Sequence, residues 1–71
     1  MEYKSGHRLQ VVELQGDPEI RERIQELGIR RGSQLTFIRR TPFGGPYLFQ
    51  TSSTLLALRE EEMACLQVKS I

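Results

Sequence analysis

Asp17-Pro18-Glu19-Ile20-Arg21-Glu22-Arg23-Ile24-Gln25-Glu26-Leu27-Gly28-Ile29 holds a whole helix, with its start, its apolar face and its stop. Asp17 can accept hydrogen bonds from the free N–H groups of the first turn, and Pro18 at the first helical position loses none. Glu19 places a negative charge where the helix dipole favours one. Ile20, Ile24 and Leu27 recur at i, i+4 and i+7, so they are expected on one face. Glu19 and Arg23 form an i,i+4 pair in the favourable order, worth about 0.3 kcal/mol. Gly28 suits the left-handed position just past a helix, with Ile29 folding back on Ile24 in a Schellman ending. The spacing therefore predicts a helix from Pro18 to Leu27.

Outward from this helix the pattern changes to β. Upstream, Leu9, Val11, Val12 and Leu14 form an apolar run from Arg8 to the Gln15-Gly16 punctuation. Apolar residues fall on both parities, which predicts a first strand partly covered on both faces. Downstream, after Arg30-Arg31-Gly32-Ser33, a second strand is expected from Gln34 to Arg40, with Leu35 and Phe37 opposite Thr36 and Ile38. Thr41-Pro42-Phe43-Gly44-Gly45-Pro46 reads as a turn stiffened by two prolines. Further strands are expected from Tyr47 to Thr51 and from Thr54 to Leu58. One helical turn from Glu60 to Ala64 precedes a last short strand, Leu66 to Val68. The expected fold is mostly β: a small barrel of about five strands, which leaves no exposed sheet edge. The helix plugs one open end through Ile20, Ile24 and Leu27.

Seventy-one residues make one domain, residues 1–71, and no more. Such a domain buries only about 60% of the surface its unfolded chain exposes, which leaves few residues to wall a deep cavity. Hydrophobic residues are 38% and charged residues 27%, a globular balance. Ten Lys and Arg against nine Asp and Glu leave a net charge of +1, unlike a dedicated nucleic-acid binder. The one cysteine, Cys65, cannot form an intramolecular disulfide, in keeping with a reducing compartment. Met1 to Gly6 lack the apolar core of a signal peptide, and the longest apolar run, Leu55 to Leu58, is a strand's length.

Candidate chemistry is sparse. His7, Met63, Cys65 and the acidic run Glu60-Glu61-Glu62 are the ligand types present, with no CxxC, no HxxxH and no second His. A transition-metal site needs several such groups converging. The expectation is that Cys65 acts as a small buried hydrophobe, and that His7 and the glutamates are solvated. Ser33, Ser52, Ser53 and Thr54 have no His placed to activate them, so no catalytic set is expected. Gly44 and Gly45 precede no Lys-Ser/Thr and no helix, so they are turn residues supplying unusual backbone angles and not a phosphate loop. Arg30, Arg31, Arg39 and Arg40 are the basic residues of note, but Arg39 and Arg40 are strand neighbours and face opposite ways. Of the aromatics, Phe37 and Phe49 fit a core better than a base-stacking platform. Phe43 either presents its ring from a rigid loop as a docking anchor or folds back over a barrel end.

The ordered set Leu27-Gly28-Ile29-x-x-Gly32-Ser33, Thr41-Pro42-Phe43-Gly44-Gly45-Pro46, Ala57-Leu58-Arg59 and Ala64-x-Leu66-x-Val68 resembles the ferrous iron transport protein A (FeoA) family. The likeness runs in order from about Gly16 to Val68. It implies an SH3-like β-barrel, and a cytosolic accessory protein without enzymatic activity. The implied partner is a large membrane transporter of ferrous iron, FeoB, through its GTP-binding cytosolic region. The same domain type occurs at the C-terminus of iron-dependent repressors, joined to a DNA-binding domain that this chain lacks. Family descriptions attach transition-metal binding to the domain. No ligand set for ferrous iron is legible here, and no cofactor is expected. The expected partner-binding residues are Gly28, Arg30, Arg31, Gly32, Pro42, Phe43, Gly44, Gly45 and Pro46. A metal-binding sensor or carrier using His7, Cys65 or acidic groups is the alternative function, and a small nucleic-acid-binding barrel is the third.

Overall fold

The computed structural model describes Tyr3 to Ile71; Met1 and Glu2 lie outside the described residues. Five strands and two helices follow in the order β1 (Arg8–Leu14), α1 (Pro18–Glu26), β2 (Gln34–Arg40), β3 (Tyr47–Gln50), β4 (Leu55–Leu58), α2 (Glu60–Met63) and β5 (Leu66–Ser70). The strands make one antiparallel sheet in the order β4-β3-β2-β1-β5. The fold is the mostly β, SH3-like one expected. The sheet is not closed, however: β4 and β5 remain edges, so the barrel is open along the line where those two strands would pair. The expected elements are all present. The third and fourth strands are each one residue shorter than predicted, and the last strand runs two residues further, to Ser70.

Two register shifts bend the sheet, in β1 between Val11 and Glu13 and in β2 between Phe37 and Arg39. An extra residue unpaired in a ladder kinks its strand and increases its twist. The first shift explains the apolar residues on both parities of β1. Leu9 and Val11 point into the core, Val12 is the inserted residue and is exposed, and Leu14 is half-buried after the phase has changed. The strand is not covered on two faces; it changes phase once.

Helix α1 begins as its sequence predicts. Asp17 Oδ1 accepts the Glu19 N–H at 2.8 Å, and Pro18 fills the first position. Its ending is a full Schellman pair. The Gly28 N–H donates to the Gln25 carbonyl at 2.9 Å and the Ile29 N–H to the Ile24 carbonyl at 3.3 Å, with Gly28 at φ 91°. Ile24 and Ile29 are 0% and 1% exposed, so the expected clasp between them forms part of the core. Leu27 does not plug the barrel: it is the C-cap residue and is 42% exposed. The chain reversal at Gly28 brings Ile29 into the position that continued helical spacing assigns to Leu27. Nor do Glu19 and Arg23 pair; the ion pairs among the described residues are Arg31–Glu13 at 2.9 Å and Arg40–Glu60 at 3.5 Å.

The core gathers Leu9, Val11, Leu35, Phe37, Tyr47, Phe49, Leu56 and Leu58 from the strands with Ile24, Ile29, Met63, Cys65 and Leu66. Phe37 and Phe49 meet edge to face at 5.6 Å between ring centres, as core residues and not as a stacking platform. Tyr3 packs beside both, and its partial burial, with the nearby Tyr47, raises its phenol above the ordinary value. α2 is a single turn. Its Glu62 is buried, and Oε1 accepts the Arg59 N–H at 2.8 Å. Glu62 is thus not part of a solvated acidic face, because the third position of a helix turns its carboxylate back onto the free N–H before it. Glu60 and Glu61 are exposed as expected.

Candidate functional site

The nine predicted partner-binding residues fall on two loops that β2 separates. Gly28, Arg30, Arg31 and Gly32 precede β2, and Pro42 to Pro46 follow it. A seven-residue strand spans roughly 20 Å, so the two loops do not meet through β2.

The first loop is held to β1 through its backbone. Gly32 N–H donates to the Val11 carbonyl and Val11 N–H to the Ser33 carbonyl, both at 2.8 Å. Ser33 closes the loop on itself, its Oγ accepting the Arg30 N–H at 2.9 Å and its own N–H donating to the Arg30 carbonyl at 2.9 Å. Arg31 then lies beside β1, where its guanidinium meets Glu13 Oε2. Arg30 and Arg31 face a groove between α1 and β1. Gly28 lines a different, polar groove with Gln34 and the β3–β4 turn.

The second loop is a tight hairpin turn. The Thr41 N–H and Oγ1–H both donate to the Pro46 carbonyl, at 3.0 and 2.8 Å. Within this frame Gly45 N–H donates to the Pro42 carbonyl at 3.2 Å, closing a four-residue turn from Pro42 to Gly45. Its two central residues, Phe43 and Gly44, have φ of 58° and 70°. Positive φ at both central positions is the signature of a type I′ turn, which favours Asn and Gly. Gly44 supplies the left-handed angle expected of it. Gly45 does not have a positive φ; it is glycine for space, since a Cβ there would overlap Thr41 Oγ1.

Phe43 does not fold back over a barrel end. Its relative exposure is 105%, the ring standing clear of the molecule on all sides. Beneath it, the Arg40 guanidinium lies 4.5 Å from the centre of the Tyr47 ring and pairs with Glu60, which fixes the base of the loop.

One surface shared by the two loop regions was not legible in the sequence. Leu27, just before Gly28, and Pro46, at the end of the turn, line a single groove together with Ala57 and Arg59. The exposed Leu27 therefore belongs with Pro46 on one surface, a placement that its helical spacing hides. The signal that could have found it is positional: a residue immediately before a left-handed glycine is the helix cap, and no longer follows the helical stripe.

The candidate metal ligands do not converge. His7 Nε2 is 2.7 Å from Ser70 Oγ, Cys65 is buried in the core, and Met63 is a core residue two positions before it in sequence. Among the described residues, no three His, Cys, Asp or Glu side chains gather as a set able to hold a metal ion. No helix among the described residues is long and apolar enough to cross a membrane.

Known structures share this architecture. A FeoA-like protein from Clostridium acetobutylicum superposes with a TM-score of 0.87 at 23% identity, over 99% of this chain and 81% of that one. The FeoA protein from Chlorobium tepidum does so with a TM-score of 0.83 at 31% identity, over 99% and 67%. The manganese regulator SloR contains the same fold, with a TM-score of 0.83 at 10% identity, over 97% of this chain but only 32% of the regulator. The sequence model of the FeoA domain matches residues 1–70, nearly the full length, and the chain belongs to the FeoA domain family.

Proposed function

We propose that this chain is a cytosolic accessory of ferrous-iron uptake, and that it works by docking to the cytosolic part of a FeoB-type, GTP-dependent iron transporter. Membership of the FeoA family supports the role in iron uptake. The docking reading rests chiefly on Phe43, a fully exposed aromatic at φ 58°. A bulky residue is strained in the left-handed region, and backbone strain of this kind is a reason to look for function. The ring is large, apolar and already held by a proline-flanked turn, so little conformational freedom is lost when it enters a partner's pocket. Leu27 and Pro46 extend the apolar surface on the neighbouring groove. The protein's part is to bind and to orient its partner, and no step of bond chemistry is assigned to its residues.

The test is retention of the purified protein on the immobilised cytosolic domain of the transporter, with and without guanine nucleotide. The wild type should be retained in at least one nucleotide state. Phe43→Ala should bind at least about tenfold more weakly while unfolding at the same denaturant concentration, since an interface anchor of this kind carries about 2 kcal/mol or more. Equal retention of both proteins removes the Phe43 turn as the anchor. No retention in any state removes the cytosolic domain as the docking partner.

A further inference from the structure

A second surface lies on the α1 side of the molecule. Pro18, Arg21, Glu22 and Gln25 recur at i, i+3, i+4 and i+7, so one face of α1 forms a wall of the groove that Arg30 and Arg31 close. The open groove, ≈ 750 Å³ in volume, carries three guanidinium groups and two carboxylates, those of Glu13 and Glu22. Arg31 is engaged by the Glu13 carboxylate. Among the described residues neither Arg21 nor Arg30 has an ion-pair partner.

We propose that this groove is a receptor for a short acidic segment of a partner protein, lying extended along α1 with its carboxylates on Arg21 and Arg30. The chemistry follows from the groove itself. A guanidinium presents paired N–H donors that match a carboxylate, and Arg31 already donates through Nη2 to one carboxylate of the chain's own, Glu13 Oε2. From Pro18 to Gln25 the helix rises roughly 10 Å. That accommodates about three extended residues, enough to carry two carboxylates on one side. Glu13 and Glu22 also line the groove. They disfavour any anion, and a continuous run of phosphates more than a peptide whose carboxylates are spaced to fall on the arginines, which favours a protein segment over a nucleic acid. The inference rests on the reading of the chain as a docking module, but it concerns a surface that Phe43 does not line.

The experiment is an amide-shift titration of the isotope-labelled protein at low salt with a capped peptide alternating Glu and Ser, compared with its Gln-Ser analogue. The acidic peptide should move the amides of Arg21, Gln25 and Arg31, and the Gln-Ser peptide should not. Arg21→Gln combined with Arg30→Gln should weaken binding at least about tenfold with the remaining spectrum unchanged. Should the double variant fail to fold, Arg30→Gln alone, on the exposed loop, should weaken it several-fold. Lys69→Gln should bind as the wild type does. Shifts confined to other residues, equal binding of the Gln-Ser peptide, or a folded arginine variant with wild-type affinity would overturn the proposal. So would a single-stranded oligonucleotide that moves the same amides at lower concentration than the acidic peptide. Because the titration omits the transporter, its failure leaves docking through Phe43 standing, and loss of docking by Phe43→Ala leaves the groove standing.

Discussion

A phenylalanine at φ 58° crowds its Cβ against the neighbouring carbonyl, at a cost of roughly 1–2 kcal/mol relative to glycine. At Phe43 no packing offsets that cost, because the ring is fully exposed. Asparagine tolerates the left-handed region far better and is favoured in turns with two positive φ angles. Phe43→Asn should therefore raise stability by about 1 kcal/mol while weakening docking as severely as Phe43→Ala does. Denaturant titration alongside the retention assay checks both halves. A variant that gains no stability would mean that the native turn is relaxed with phenylalanine in place. The sequence left the orientation of Phe43 open for a physical reason. Pro42, Gly44, Gly45 and Pro46 specify a tight turn, but whether its central side chain points outward depends on the Thr41–Pro46 bonds and on the Arg40–Tyr47 stack beneath.

At the scale of the element, α1 was legible nearly whole because its signals are local. Asp17, Pro18, Gly28 and Ile29 act within one turn of the positions they control. Gly28→Val should cost on the order of 1–2 kcal/mol, since its φ of 91° lies where a β-branched residue is most strained. The strain is in the backbone, because a Cβ at Gly28 would meet no atom within 4 Å. Unchanged stability in a denaturant titration would sink the assignment of Gly28 as the helix stop. Leu27, Val12 and Glu62 were misread where a local period breaks. A reversal ends the helical stripe at Leu27, a bulge removes Val12 from the alternation, and a single-turn helix folds the Glu62 carboxylate back. None of these breaks changes composition, so pattern alone carries them through unaltered.

For the molecule as a whole, the order of strands and helices follows from the sequence, and the open barrel does not. A run of short strands with tight links is satisfied by a closed barrel and by a bent open sheet alike. The bulges in β1 and β2 set the bend. The candidate site divides in the same way. Its residues lie in recognisable turns, yet the grooves join residues distant in the chain, Leu27 with Pro46 and Glu13 with Arg31. The two grooves sit on different sides of α1's sequence of faces, one taking Arg21 and Gln25 and the other Arg23 and Glu26. One helix can thus present an apolar contact and an acidic-segment receptor together.

The pairing of β1 with β5 has a topological consequence. Leu9 stands opposite Ser70, the Ile71 N–H donates to the Arg8 carbonyl at 3.1 Å, and His7 reaches Ser70. The beginning and the end of the described chain therefore leave the domain at the same corner. Circular permutation is tolerated where ends adjoin and the new break falls on an exposed tip. A permutant joined by a short flexible linker across residues 3 and 71, and opened between the exposed Ser52 and Ser53, should unfold in one cooperative transition like the parent. Loss of that transition would show that the β3–β4 turn has to be continuous for the sheet to assemble. With adjoining ends, the domain can be spliced into a surface loop of another protein without forcing its host's backbone apart.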